Sequence, residues 1–389
     1  MKSDPIVITG YARTPMGGLQ GVFASLKASD LGAAAVREAA KRAGSPTVDQ
    51  IIMGCVLTAG QGQAPARQAG MGAGLGEQVP ALTVNKMCGS GMQAAILAHD
   101  MLAAGSADCV LAGGMESMTN APYLLTRHRS GARFGHDSAK DSMLLDGLED
   151  AYEAGKPMGV FAEETARAYQ IGRAAQDEYA LRSLERAKAA QASGAFDAEI
   201  VPVMVGKEAI GIDEQPGRAK PEKIPSLKPA FAPDGTITAA SAASISDGAA
   251  ALVLTREHLA KDRGIVPLAR IIGYAGHAHA PALFTTAPVF AIRKLLDRID
   301  WRTSDVDLFE VNEAFAVVAL VAMRELEIGA ERINVHGGAC ALGHPIGASG
   351  ARILATLIAA LERRGLRRGV ASLCIGGGEA LAMAVEIPR

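Results

Sequence analysis

The stretch CGSGMQAAILAHDMLAAGSADCVLAGGME, residues 88–116, decides the fold because the same order of sequence patterns occurs again near the end of the chain. It opens on Cys-Gly-Ser-Gly at 88–91, continues through an Ala/Leu-rich pattern typical of a helix, and closes on a strand-like run into Gly-Gly-Met-Glu at 113–116. Residues 347–379, GASGARILATLIAALERRGLRRGVASLCIGGGE, follow the same order. A repeat offset by about 260 residues predicts two related halves, and two unrelated helix–strand units of an α/β protein are the alternative.

Short apolar runs alternate with helical patterns along much of the chain, which predicts an α/β fold. Residues 120–245 differ, because they carry a basic cluster, a charged helical stretch and a proline-punctuated segment. We interpret this segment as a loop domain inserted into the first half. The expected organisation is a first half of residues 1–119 completed by 246–266, the loop domain, and a second half of residues 267–389.

The composition disfavours several classes of protein. The 39 basic and 41 acidic residues leave a formal charge of -2 without a polybasic stripe, so nucleic acid is not an expected partner. No run of about 20 apolar residues predicts a membrane span, and the start of the chain resembles neither a signal peptide nor a transit segment. Five cysteines without a C-x-x-C pair favour free thiols in a reducing compartment. We therefore expect a soluble, cytoplasmic protein with no membrane partner.

Cys88 has the strongest local context for chemistry. It precedes a Gly-Ser-Gly and a long helical pattern, and a thiol at a helix N-terminus is expected to have a lowered pKa. His344 opens the equivalent helix of the second half, and a pseudo-twofold arrangement of the halves would bring it towards Cys88 as a base. A packing cysteine and a structural histidine are the alternatives when the two residues are taken singly.

Further polar groups stand at the ends of predicted strands. Cys374 precedes a glycine turn that begins at Gly376, where backbone N–H groups could bind an oxyanion and the thiol could serve as acid and base. Asn312 follows the strand-like stretch 306–311. For each of these taken alone, a structural turn is at least as good an interpretation. No spacing of cysteines and histidines predicts a metal site.

Taken together, these residues closely resemble the thiolase family over essentially the whole chain. The family's motifs occur in order as CGSG at 88–91, GGMESM at 113–118, NEAF at 312–315, GHP at 343–345 and CIGGG at 374–378. The resemblance implies two similar βαβαβαββ halves in a five-layered α-β-α-β-α core with an inserted loop domain. It also implies an acyltransferase that joins two acetyl-CoA into acetoacetyl-CoA, or cleaves a 3-ketoacyl-CoA, through an acyl-cysteine.

The resemblance implies a role for each catalytic candidate. Cys88 is similar to the nucleophile that accepts the acyl group, and His344 is similar to the residue that activates it. Cys374 resembles the acid/base that moves the C2 proton of acetyl-CoA. His344 and a water held by Asn312 resemble an oxyanion site for the enolate. The backbone N–H groups of Cys88 and Gly376 resemble a second site, for the tetrahedral intermediate.

Substrate contacts implied by the resemblance include departures from the family pattern. Arg218 lies where the family often carries an arginine near the adenine and phosphates, and one residue is deleted nearby. Ala243 replaces a pantetheine-contacting serine, and Ser244 follows it. Met158 resembles the methionine of a His-Met-Gly loop that closes the acyl pocket of acetoacetyl-CoA thiolases, with Pro157 in place of the histidine. The other expected CoA or acyl contacts are Ala314 and Phe315.

Coenzyme A thioesters are the expected partners, and because they are substrates, no cofactor and no metal are expected. By resemblance to short-chain relatives, we expect a homotetramer of two dimers assembled through the stretch 123–143, and a place in fatty acid metabolism. The related ketoacyl synthases lack the second cysteine, so Cys374 disfavours that alternative. A non-enzymatic CoA-binding module with a decayed site is disfavoured because all four catalytic side chains are present. The direction of reaction and a longer-chain thiolase of β-oxidation stay open.

Overall fold

The strands and helices of the two halves follow one another in the same order. The computed structural model describes residues 4–388. Its strands are β1 (Ile6–Arg13), β2 (Gly17–Gly18), β3 (Gln50–Gly54), β4 (Ala81–Val84), β5 (Cys109–Ser117), β6 (Tyr123–Leu124), β7 (Lys140–Asp141), β8 (Val203–Val205), β9 (Glu208–Ile210), β10 (Ser246–Arg256), β11 (Ala269–Ala278), β12 (Leu308–Val311), β13 (Arg368–Ile375) and β14 (Glu379–Glu386).

The helices connect these strands and fill the inserted segment. They are α1 (Ala28–Arg42), α2 (Pro65–Ala73), α3 (Ser90–Ala103), α4 (Met158–Ala168), α5 (Arg173–Ala192), α6 (Glu214–Arg218), α7 (Glu257–Asp262), α8 (Ala287–Ile299), α9 (Ala316–Glu325), α10 (Ala339–Leu342) and α11 (Ser349–Arg364). Short 3-10 helices lie at Met118–Asn120, His128–Ser130, Pro221–Ser226, Pro281–Thr286, Thr303–Asp305 and Ala330–Arg332, and a π-helical turn at Leu144–Leu148.

Burial on both sides explains the composition of the central elements. β1 is buried at every position and β10 at every position but its last, and the middle of each strand is mostly apolar, as expected for strands covered on both faces. α11 is buried without interruption from Ser349 to Leu361, whereas an ordinary surface helix buries a single stripe. A helix with this burial must lie between two other layers.

The two halves build their sheets in the same strand order. Across the first sheet the order is β1-β10-β5-β3-β4, and across the second it is β11-β14-β13-β12. In each, the first three strands are antiparallel neighbours and the later pairings are parallel. A parallel bridge between Phe309 of β12 and Ile333 occupies the position equivalent to β4. The two sheets meet edge to edge where Val7 and Ile8 of β1 pair with β11.

Three clusters of apolar side chains fill the space between the five layers of structure. The central layer packs α3 and α11 against each other and against the inner faces of both sheets. α1 and α2 cover the outer face of the first sheet, and α8 and α9 cover the outer face of the second. The five-layered α-β-α-β-α arrangement expected from the sequence is therefore confirmed.

The segment between β5 and β10 forms the inserted part of the first half. β5 ends at Ser117 and β10 begins at Ser246, and the two strands are direct neighbours in the sheet. The intervening chain holds α4 to α6 and two small hairpins, and residues 125–140 are exposed almost throughout. The boundaries drawn for the loop domain stay a prediction.

Glycines allow the backbones of the two halves to come into contact near the N-terminal ends of the central helices. A Cβ on Gly350 of α11 would collide with the amide nitrogen of Met92 in α3. A Cβ on Gly114 of β5 would collide with the carbonyl oxygen of Gly347, just before α11. Backbone lies against backbone at both places, so a side chain could be accommodated only by moving one half against the other.

Gly350→Ala is expected to lower the free energy of unfolding by about 1–3 kcal/mol, because the added methyl group forces the crossing apart. Urea unfolding measures this change. Gly172→Ala is the matched control, because a Cβ there meets nothing within 4 Å and its φ of -75° suits alanine. Equal stability of Gly350→Ala and the control would contradict the close crossing.

Candidate active site

A cavity of about 450 Å³ lies where the two halves meet the inserted segment. Its walls are mainly apolar, with side chains such as Leu148, Phe231 and Ile346. Eight of the residues proposed from the sequence line it: Cys88, Met158, Ala243, Ser244, Ala314, Phe315, His344 and Gly376. Cys374 and Asn312 are buried and do not line it.

A strained turn carries Cys88 between β4 and α3. Met87 adopts a left-handed φ of 47°, a conformation that side chains rarely take. The Lys86 N–H donates to the Ser90 hydroxyl at 2.8 Å, and that hydroxyl donates to the Met87 carbonyl at 2.6 Å. The first residue of α3 therefore holds the turn that presents the thiol to the cavity.

The loop that carries His344 is held in a similar way by the first residue of α11. The Ser349 hydroxyl donates to the Pro345 carbonyl at 2.9 Å, and in that arrangement its oxygen accepts in its 2.6 Å contact with Nδ1 of His344. Nδ1 then carries the proton and Nε2 keeps a free lone pair. This arrangement leaves His344 with Nε2 as the basic nitrogen.

The cavity favours uncharged forms of both Cys88 and His344. Burial raises the pKa of Cys88 to about 11, against the lowering effect of hydrogen bonds from the N–H groups of Gly376 and Cys88 itself, and the Glu116 charge raises it further. Burial, aided by the positive charge of Arg352, lowers the pKa of His344 to about 3. The expectation of a lowered thiol pKa is wrong, because loss of hydration outweighs the helix terminus.

Cys374 stands at the end of β13, next to the glycine turn predicted to bind an oxyanion. Burial raises the pKa of its thiol well above the usual value, and the nearby Cys88 charge adds to the effect. Gly377 and Gly378 have φ values of 93° and 87°, which glycine adopts without strain. The turn directs the Gly376 N–H towards the sulfur of Cys88.

Asn312 approaches the ring of His344 from the end of β12. Its Nδ2 lies 3.5 Å from each ring nitrogen of His344. Its backbone N–H donates to the Ser372 carbonyl at 2.9 Å, which continues the pairing of β12 with β13. Since Cys88 of the first half and His344 of the second line one cavity, the structure brings together side chains from both halves, as the sequence predicted.

The expected substrate contacts divide between two neighbouring cavities. Met158 begins α4 directly after Pro157, and both line the cavity that contains Cys88. Arg218 lines a second cavity of about 310 Å³ and pairs with Glu214 at 2.8 Å. Ser244 lines both cavities. The second cavity carries two further cationic side chains, Lys220 and Lys223.

Glu116 and Ser349 support the site but were not singled out from the sequence. The buried Glu116 carboxylate accepts backbone N–H groups of Val56, Leu57 and Gly347 at 2.9–3.1 Å, tying the His344 loop to β5. Burial raises its pKa to about 7. Both residues could have been found by comparing the two copies of the repeat, because Ser-Gly opens both central helices and a glutamate ends both repeat units.

Two further findings bear on the expected partners. Within residues 4–388, no group of three or more histidine, cysteine, aspartate or glutamate side chains is arranged to hold a metal ion. Over the same residues, none of the helices has the length and apolar character needed to cross a membrane.

The fold and the site define an α/β protein with two similar halves and a cysteine–histidine site between them. Residues 6–258 match the family description "Thiolase, N-terminal domain", and residues 265–387 match "Thiolase, C-terminal domain". The chain therefore belongs to the thiolase family, and the resemblance stated from the sequence is confirmed.

Known relatives match the chain from end to end. Acetyl-CoA acetyltransferase 2 of Arabidopsis thaliana is 48% identical over 98% of this chain and 97% of that protein. The probable acetyl-CoA acetyltransferase of Escherichia coli is 46% identical over 98% of both. Among solved structures, the Bacillus anthracis acetyl-CoA acetyltransferase has a TM-score of 0.96 at 40% identity, over 99% of each chain. The Ascaris suum Acat5 thiolase in complex with coenzyme A has a TM-score of 0.94 at 40% identity, over 99% of this chain and 100% of that one.

The rate of Cys88 alkylation by iodoacetamide is expected to rise from about pH 6 to about pH 9 without a plateau. A pKa raised to about 11 leaves only about one thiol in 10⁴ ionised at pH 7, and the reactive fraction grows as the pH increases. Peptide mapping separates Cys88 from the buried cysteines. A rate that levels off below about pH 7.5 would indicate a thiolate–imidazolium pair instead.

Proposed function

We infer that this chain is an acetyl-CoA C-acetyltransferase, which condenses two acetyl-CoA into acetoacetyl-CoA and CoA and catalyses the reverse thiolysis. The observation that carries the inference is one apolar cavity lined by Cys88, His344 and Gly376. The names of the relatives from Arabidopsis and Escherichia coli support the acetyl group as the one transferred.

In the first half-reaction, Nε2 of His344 takes the proton of the Cys88 thiol as the sulfur attacks the thioester carbonyl. A base is required because burial keeps the thiol protonated at neutral pH. The N–H groups of Cys88 and Gly376 lower the pKa of the Cys88 thiol, so they are near enough to the sulfur to donate to the oxyanion of the tetrahedral intermediate. Its collapse leaves acetyl on Cys88 and expels CoA, which takes a proton from Cys374.

In the second half-reaction, the Cys374 thiolate takes a proton from C2 of a second acetyl-CoA. The enolate oxygen forms next to His344 and Asn312, where a preorganised donor can be worth about 10²–10³ in rate. The enolate carbon attacks the acetyl carbonyl on Cys88, and the new carbon–carbon bond displaces the Cys88 sulfur. His344 returns its proton to that sulfur, so every proton is accounted for.

Coenzyme A is proposed to extend from the acyl cavity into the second cavity. Ser244 lines both cavities, and Arg218, Lys220 and Lys223 line the second. Three cations suit the diphosphate and 3′-phosphate of CoA, whereas the apolar first cavity suits the acyl group. Since CoA enters and leaves as a substrate, the proposed reaction calls for no cofactor or metal.

Three expectations about the protein in its cell stay predictions. These are the homotetramer of two dimers, the cytoplasmic location and the role in fatty acid metabolism. The tetramer is supported by the exposed residues 125–140, which include Phe134, 98% exposed. A large apolar side chain held in solvent is suited to contact another chain.

Cys374→Ser is expected to lower condensation far more than acyl transfer, because the serine hydroxyl cannot supply a base comparable to a thiolate. Acid quenching with acetyl-CoA and peptide mapping should still find acetyl on Cys88. Cys109→Ser, at a buried thiol away from the cavity, controls for the cost of burying a hydroxyl. An equal fall in both half-reactions, or acetyl on another cysteine, would refute these roles.

Short 3-ketoacyl chains are expected to be the better substrates. Met158 and Phe315 help to close an apolar cavity, and each methylene denied burial forfeits about 0.8 kcal/mol. Thiolysis is measured as kcat/KM for C4, C8 and C12 3-ketoacyl-CoA. A tenfold or greater rise from C4 to C12 would identify a longer-chain thiolase of β-oxidation instead, and inactivity with all three would defeat the proposed function.

A further inference from the structure

A buried arginine lies behind the catalytic loops of the second half. Arg352 is in the first turn of α11 and is 1% exposed. Its Nη1 donates to a carboxylate oxygen of Glu310 at 2.8 Å, and its Nη2 donates to Oδ1 of Asn312 at 3.4 Å. Glu310 and Asn312 are two residues apart at the end of β12, so their side chains face the same way. One guanidinium fork thus spans the carboxylate and the amide.

The contact with Arg352 determines which end of the Asn312 amide faces His344. A guanidinium only donates hydrogen bonds. It is therefore stabilised next to the Oδ1 acceptor of the amide and repels the amide NH₂ group, which is also a donor. With Oδ1 turned to Arg352, Nδ2 is left 3.5 Å from the ring nitrogens of His344. In the reversed orientation, an acceptor would face the ring and could not donate to an enolate oxygen or to a water beside it.

We propose that Arg352 is a positioning residue for the enolate step, because its guanidinium fixes the donor end of Asn312 towards His344. The proposal rests on the proposed function, which places the enolate next to Asn312 and His344. Glu310 is part of the same device, since the ion pair at 2.8 Å holds the guanidinium in the buried position from which it reaches Asn312. Acyl transfer to Cys88 does not use the Asn312 amide and depends less on its orientation.

The positive charge of Arg352 has a second consequence, at His344. Ionisable and charged groups reach the region of His344 from five elements: Arg352 on α11, Glu310 on β12, Cys88 before α3, Cys374 on β13 and Glu116 on β5. Arg352 is the charge that lowers the pKa of His344, in addition to burial. His344 must be neutral to accept the Cys88 proton, so the arginine extends activity to lower pH.

The test compares two half-reactions of the same enzyme at about pH 8, where His344 is neutral. Exchange of labelled CoA into acetyl-CoA reports acyl transfer to Cys88. Incorporation of deuterium at C2 of acetyl-CoA in D₂O, read by mass spectrometry, reports the enolate step. Arg352→Lys keeps a cation for Glu310 but loses the fork to Asn312. We expect its C2 exchange to fall at least tenfold more than its CoA exchange.

A second variant keeps the test decisive if the lysine variant does not fold. Arg352→Met combined with Glu310→Leu removes both charges, which leaves no unpaired ion in the core. It is expected to show the same selective loss of C2 exchange. The acid limb of its CoA exchange should also move to higher pH, because one of the two causes that lower the pKa of His344 is gone. That limb should not move in Arg352→Lys, which keeps the charge.

Arg368→Lys is the matched control. Arg368 pairs with Glu386 at the opposite end of β13 from Cys374, and its replacement should leave both exchanges unchanged. Equal losses of the two exchanges in the folded Arg352 variants, or no loss in either, would overturn the positioning role. Absence of both exchanges in the wild-type enzyme would instead refute the proposed function, so the two failures are distinguishable.

Discussion

The close crossing of α3 and α11 is the constraint on which the rest of the site depends. The proposed nucleophile, Cys88, stands before α3 and the proposed base, His344, before α11, so neither half contains the site alone. The distance between the two loops is set by how closely the helix ends approach, and Gly350 and Gly114 allow backbone to meet backbone there. A wider crossing would move the loop of Cys88 away from the loop of His344.

Hydrogen bonds within each half then fix what the crossing brings together. Ser90 and Ser349 open the two central helices and use their hydroxyls in the same way, each accepting a donor from its loop and donating to a carbonyl. Glu116 adds a link across the halves through the Gly347 N–H. Because these groups are buried, any other arrangement of the loops would leave a polar atom without a hydrogen-bond partner. The free-energy cost of that loss holds the loops in one arrangement.

Much of this was predictable from the sequence, and what was not depended on contacts between distant residues. The repeat and the glycine-flanked Cys88 and His344 are local patterns, so they indicated the fold and the site. The direction of the Cys88 pKa shift was missed because burial comes from side chains as far apart in the chain as Leu148 and Phe315. The link from Arg352 to Asn312 depends on how α11 lies on β12, which no spacing reveals.

The site is asymmetric although the scaffold is nearly symmetric, and the reaction explains why. The position of Cys88 in the first repeat is occupied by Gly347 in the second, where a side chain would collide with the Glu116 carboxylate and the Met115 carbonyl. The equivalent glutamates also differ, since Glu116 is buried beneath the loops while Glu379 pairs with Lys86 in a partly exposed position. The two thioesters have different roles, one an acyl donor and one a carbon nucleophile. One half then supplies the sulfur proposed to accept the acyl group, Cys88, and the other supplies the groups proposed to move protons, His344 and Cys374. Two equivalent nucleophiles would instead compete for the same acyl group.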